Sequence, residues 1–229
     1  TFTSNTVSTI TMTDSSTTTL NFPVTYPSGK VSVDGSGKQY FTLDANGRAT
    51  AFNGYADPAN TANDSNLVTV AYTYDTGGHL VKRLQAYNLY PNSPFEMDYT
   101  YSGDQLTQAV WKFGTTVVES VTYTYDGTKP VKNFLDFHPF ADEIFYFQSS
   151  VNTGIVCNQA LVKVVETDYA TSLGTTAGVY TSYLNNYVID ANQHVQSFTV
   201  SGDAFDTPFA FSFLSIYPST TYKLSYHCQ

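Results

Sequence analysis

The sequence predicts an almost all-β protein. The expected fold is a twisted antiparallel meander of roughly 12–16 short strands with very little helix, either curled into an open half-barrel-like sheet or divided into a sandwich. Three observations point there. The 229 residues are rich in Thr (33), Tyr (19) and Phe (16), residue types that fit a pleated, half-buried surface. Apolar residues recur with period two, the strand signature. Between these runs lie Asp/Gly clusters of the kind that reverse a chain.

The chain opens on TFTSNTVSTITMTDSSTTT, a polar, uncharged stretch that reads as the start of a mature exported chain, with residues 1–20 as a flexible N-terminal segment. DGSG (34–37), DANG (44–47), DTGG (75–78) and SGD (102–104) place Gly or Asn where a turn needs positive φ. DPANTANDSN (57–66) is a long polar loop with room for one helical turn, capped by Asp57 with Pro58 at its first position. In LVTVAYTY (67–74), Val68, Val70, Tyr72 and Tyr74 share one face of a strand. In VVESVTYTY (117–125), Val117, Val121, Tyr123 and Tyr125 do the same, with Glu119 interrupting the row. NQALVKVVETDYATSL (158–173) fits a helix or a strand equally. PFAFSFLSIY (208–217) alternates Phe209, Phe211 and Phe213 with small or aliphatic residues, as a strand buried on both faces would. A single β domain spanning 1–229 is expected, with a split near 137–150 as the alternative.

Charge and composition exclude several functions. No run approaches the ~20 apolar residues of a membrane-spanning helix. Two Arg and eight Lys against 19 acidic residues, net −9, leave no basic patch for nucleic acid. Cys157 and Cys228 form no CxxC and no Cys/His cluster, so no structural zinc site is expected. Joined, they would close a loop worth roughly 4 kcal/mol, but spacing alone leaves disulfide and free thiols equally open.

An imperfect repeat runs through the chain. YFTLDANGRA (40–49), YTYDTGGHL (72–80), YTYSGDQL (99–106), YTYDGTKP (123–130) and YVIDANQHV (187–195) each lead an aromatic strand end into an Asp/Gly turn. The paired Tyr residues of the copies at 72, 99 and 123 face the same way and would stack across strands as an aromatic ladder. The Y-x-Y-D-x-x-G-x-L pattern at Tyr72, Tyr74, Asp75, Gly78 and Leu80 resembles the YD repeat of Rhs-type proteins. With the Thr/Ser-rich start and short length, the set of YD-like hairpins at 40–137 and 184–200 is more similar to small exported lipoproteins of Bacteroidetes-type bacteria, whose function is unknown. The resemblance implies export to the periplasm or outer-membrane surface and a lipid anchor upstream of residue 1. It transfers no catalytic residue.

No catalytic constellation emerges from the residues themselves. His79, His138, His194 and His227 are scattered, and His79 and His194 occupy equivalent turn positions, which marks a structural slot. There is no G-x-S-x-G elbow and no HEXXH, and His138 with Asp142 and Glu143 is a weak metal trio. DANG and DANQ begin like calcium loops, but the twelfth positions are Tyr55 and Ser201 rather than Glu, so turns are expected. Glu96, Glu119, Glu143 and Glu166 sit in no glycosidase motif. The segment NFLDFHPFADEIFYF (133–147) concentrates aromatics and reads either as the wall of an apolar pocket or as a plug at the end of a sheet. The candidate ligand-binding residues are Trp111, Phe134, Phe137, Phe140, Phe145 and Tyr146. The expected protein is a non-catalytic exported module binding a hydrophobic ligand or a glycan, with no cofactor and no metal. A structural or adhesive module with an envelope protein partner is the alternative, and a hydrolase ranks third.

Overall fold

The computed structural model describes residues 9–13, 19–34, 37–56, 66–88, 90–132, 143, 152–154, 157–169, 177–203 and 220–223. Among them run fourteen strands: β1 (Thr9–Thr13), β2 (Thr19–Pro23), β3 (Lys30–Ser32), β4 (Tyr40–Leu43), β5 (Ala49–Tyr55), β6 (Leu67–Tyr74), β7 (Leu80–Tyr87), β8 (Tyr90–Ser102), β9 (Gln105–Phe113), β10 (Thr116–Pro130), β11 (Gln159–Asp168), β12 (Gly178–Ile189), β13 (Val195–Gly202) and β14 (Thr220–Lys223). Strands β3 to β14 pair in chain order as one twelve-stranded sheet, and β1 and β2 form a separate antiparallel ribbon. The all-β antiparallel meander is therefore as the sequence predicts. The described strands form one long sheet and one ribbon, not two comparable sheets. The segment open to helix or strand is β11, whose centre carries the β-branched Val162, Val164 and Val165. PFAFSFLSIY, the loop at 57–65 and Cys228 lie outside the described residues.

Contacts group the chain into two compact units, one comprising residues 1–95 with 141–154 and the other 96–140 with 155–229. In the first, Val31, Phe41, Phe52, Val70 and Tyr72 are buried on neighbouring strands. Phe41 pairs directly with Phe52, ring centroids 4.8 Å apart, and Phe52 with Val70. Fully burying a side chain of this size is worth roughly 1.5–3 kcal/mol. In the second unit Met97, Leu106, Ala109, Val121, Leu161, Val164, Leu184, Phe198 and Val200 are buried in the same way.

The Tyr pairs do face inward. Tyr72, Tyr99 and Tyr123 are buried, and the second Tyr of each pair, at 74, 101 and 125, is half-buried towards the turn. The alternation in VVESVTYTY is broken by a bulge: Val117 pairs with Lys112 and Glu119 with Trp111, so Val118 is the extra residue. As a result Val117 is 36% exposed while Val118 is buried, and the face carrying Val121 and Tyr123 begins with Glu119.

Candidate functional site

The YD-like turns use their charged groups structurally. Asp44 accepts the backbone N–H groups of Asn46 and Arg48 at 2.8 and 2.9 Å, and the Arg48 side chain binds its other oxygen. Asp190 repeats the pattern with the N–H groups of Asn192 and His194, both at 2.9 Å. Asp75 accepts the N–H of His79 at 2.9 Å, and the His79 Nδ1 lies 3.0 Å from its second oxygen. In all three, the residue before the basic one has positive φ: Gly47, Gly78 and Gln193. The hydrogen bond from the backbone of the fifth turn residue is the first cause holding each Asp below its ordinary range. His79 and His194 are thus the fifth residues of one turn type, each beside its own Asp. The copies at 99 and 123 diverge: the first is a tighter Gly103-Asp104 turn, and the second runs on as strand to Pro130.

The long crossover from β10 to β11 lies against these turns at its described positions. In the first unit Ala49 donates its N–H to Asn152, and Gly154 lies so close to the Gly78 carbonyl that a Cβ on it would stand 2.5 Å from that oxygen. In the second unit Lys132 donates its N–H to Gln193, Val131 to Asn158, and Leu106 to the buried Cys157 sulfur.

Acidic side chains are buried at two places among the described residues. In the first unit Glu143, 1% exposed, is gripped by Arg83: Nε reaches one carboxylate oxygen and Nη2 the other, both at 2.7 Å. Tyr72 donates its hydroxyl to Glu143 at 2.8 Å, and Arg83 also binds Gln85. Tyr72 and Arg83 are direct cross-strand partners, so the sheet presents both donors to one carboxylate. Glu143 is therefore held as a structural ion pair. The trio read with His138 and Asp142 has its only described member committed to Arg83.

The second group lies on β10 and β11. Glu119 pairs with Asp168 across the two strands, and Val121 pairs with Glu166 one step along the same face. On the other side of Glu119 its partner is Trp111 of β9, so Trp111, Glu119 and Asp168 form one cross-strand row. Glu119 is 2% exposed, Glu166 0%, and Asp168 half-buried. One carboxylate oxygen from each lies within 4.8 Å of one from each of the other two. Burial, then the neighbouring Glu166 and Asp168, push the Glu119 carboxyl up to about 9, so it carries a proton at neutral pH. Burial raises Asp168 too, partly offset by its hydrogen bond with Glu166. A protonated acid beside other carboxylates divides labour as an acid–base pair does. Both Glu side chains are sealed from solvent in this arrangement, which suits holding a proton or an ion better than meeting a substrate.

Of the sequence-derived ligand residues, Trp111 is half-buried on β9 in this row. Phe134, Phe137, Phe140, Phe145 and Tyr146 lie outside the described residues. Glu119, Glu166 and Asp168 were missed as a group. Their signals were present: a carboxylate interrupting an apolar row, and two more spaced i, i+2 at the end of a Val-rich strand.

No protein-family model and no curated protein matches the chain. Among solved structures, a porin-like protein from Bacteroides uniformis superposes with a TM-score of 0.57 at 15% identity, covering 93% of this chain and 80% of its own. A porin-like protein from Bacteroides vulgatus gives 0.52 at 12% identity, covering 86% and 92%. The likeness is one of fold. It extends over most of the chain.

Proposed function

We propose that this chain is a non-catalytic, exported module of a bacterial cell envelope that works in water and binds a glycan. The observation that carries the reading is the polarity of the strands. In the first unit Thr69, Ala71 and Thr73 of β6 are exposed while Val68, Val70 and Tyr72 are buried. In the second, Thr122 and Thr124 of β10 are exposed opposite Val121 and Tyr123, and Lys112 reaches Glu96 and Asp98 at the half-exposed surface of β8 and β9. A membrane-spanning barrel has the reverse arrangement, an apolar band outside and polar residues inside, and a Lys at its lipid face costs about 2–4 kcal/mol at the midplane. The Bacteroides neighbours support an envelope setting through their fold, and the Thr/Ser-rich composition supports export.

A glycan is favoured over a purely hydrophobic ligand by the neighbours of Trp111. An aromatic face suits stacking, and half-buried Asp168, two strand spacings or about 9.5 Å away, offers a hydroxyl acceptor. The test uses Trp111 as the chain's only tryptophan. Oligosaccharides should change its fluorescence saturably, and Asp168→Asn should weaken the effect. Silence towards sugars together with a saturable response to fatty acids would replace the glycan by a hydrophobic ligand. A protein-binding role is the second reading, favoured by Val179, Tyr183 and Val188 of β12, which are 64%, 46% and 55% exposed.

A further inference from the structure

Three carboxyl groups within 4.8 Å of one another are costly to bury unless something neutralises them. In the first unit that something is the Arg83 guanidinium. Around Glu119 the fold supplies no equivalent among the described residues. The charged groups acting on it are Glu166 and Asp168, both acidic. From β9, Trp111 stands in the row, and the next residue, Lys112, is committed to Glu96 and Asp98. From β12, Gly178 and Tyr180 pair with Asp168 and Glu166 and bring no charge. Lys163 of β11 is drawn over the Tyr183 ring instead. Glu119 Oε1, sealed from solvent, has no hydrogen-bond donor.

We propose that Glu119, Glu166 and Asp168 form a binding site for a divalent cation, with calcium preferred. The donors are all hard carboxylate oxygens, which suit Ca²⁺, Mg²⁺ or Mn²⁺ rather than metals that seek imidazole or thiolate. Ca–O bonds of about 2.3–2.6 Å allow oxygens on one ion to lie up to about 4.6–5.2 Å apart, a range that includes the 4.8 Å within which these three oxygens lie. Magnesium, with bonds near 2.0–2.1 Å, holds its oxygens no more than about 4.0–4.2 Å apart and so demands a tighter set. Glu119 Oε1 is the acceptor that an ion would satisfy, and half-buried Asp168 is the way in. The sequence reading expected no metal, because it sought contiguous loops and His/Cys clusters rather than carboxylates brought together across strands. The proposal stands whether or not a glycan binds nearby.

The experiment is terbium luminescence on the whole chain, excited at the red edge of the tryptophan band, where Trp111 is the donor. One sensitised ion per chain is expected, displaced by calcium and much less readily by magnesium. Glu119→Gln and Asp168→Asn should each weaken binding at least about tenfold through loss of ligand charge. Asp168 is half-buried, so its variant keeps the test usable if Glu119→Gln folds poorly. Trp111→Phe should abolish sensitised emission while calorimetric calcium binding persists. No sensitised emission and no calcium heat would overturn the proposal. So would unchanged affinity in both carboxylate variants, which would place the ion at surface aspartates such as Asp44 or Asp190. Equal displacement by magnesium would overturn the calcium preference.

Discussion

Glu143 and Glu119 are buried to nearly the same extent, 1% and 2% exposed, yet the sheet treats them in opposite ways. Glu143 receives a bidentate guanidinium and a tyrosine hydroxyl, so both its oxygens are satisfied by its own unit. Glu119 is surrounded by further acids and leaves one oxygen without a donor. The first arrangement is complete without anything from solution. The second needs a proton or a cation, which is the usual difference between a buried group kept for structure and one kept for binding.

The sharpest way to break the comparison is to remove one partner at each site. Arg83→Met should strand the Glu143 charge and cost about 3–5 kcal/mol in urea unfolding, with much of that loss recovered in the double variant Arg83→Met/Glu143→Met. If the single and double variants were equally destabilised, the ion pair would not be what holds Glu143. Glu119→Gln should behave differently, because at neutral pH the wild-type group is already uncharged. In chelator at pH 7 the variant is expected to be more stable than the wild type, on the order of a few kcal/mol, because the unfolded wild-type carboxyl is ionised at that pH and must take up a proton on folding.

The pH dependence sharpens the same contrast. Glu119 binds its proton more tightly folded than unfolded, with its carboxyl moving from 4.5 to about 9. Its stabilising contribution is therefore full below pH 4.5 and is lost as pH rises towards 9, on the order of a few kcal/mol in all. Metal-free wild type should lose stability across that window, and Glu119→Gln should show a flatter profile. A matching slope in the variant would remove Glu119 as its source. Because an ion competes with that proton, calcium affinity should rise as pH rises from 6 to 8, by up to about tenfold per unit for one proton released.

The smallest effect concerns the turns. Gln193 adopts φ 70°, where its counterparts are Gly47 and Gly78. Gln193→Gly should stabilise the protein by about 0.5–1 kcal/mol, the left-handed penalty less the added chain entropy, measurable as a higher urea midpoint. A lower midpoint would mean that the Gln193 side chain contributes something this turn geometry does not require.

How much was legible in the sequence follows from how local each feature is. The Asp-x-x-Gly-Arg/His turns could be read directly, because an Asp accepting N–H groups two and four residues ahead is decided within five residues. The role of His79 and His194 was legible for the same reason. The strand alternation was readable too, except where the bulge at Val118 shifted the face and turned Glu119 from an apparent blemish into a buried row member. Neither buried group of acids could be read. Arg83 and Glu143 are 60 positions apart, and Glu119 meets Asp168 only through the register of β10 against β11. Register between strands separated by a long crossover is set by packing across the whole face rather than by any local motif.

The most direct measurement is thermal unfolding of the wild type and Glu119→Gln at pH 7, each in chelator and in excess calcium. The variant is expected to unfold above the wild type in chelator, and calcium to raise the midpoint of the wild type clearly more than that of the variant. A variant that unfolds well below the wild type in chelator, with calcium shifting neither, would show that Glu119 is a structural group like Glu143 and would contradict the account.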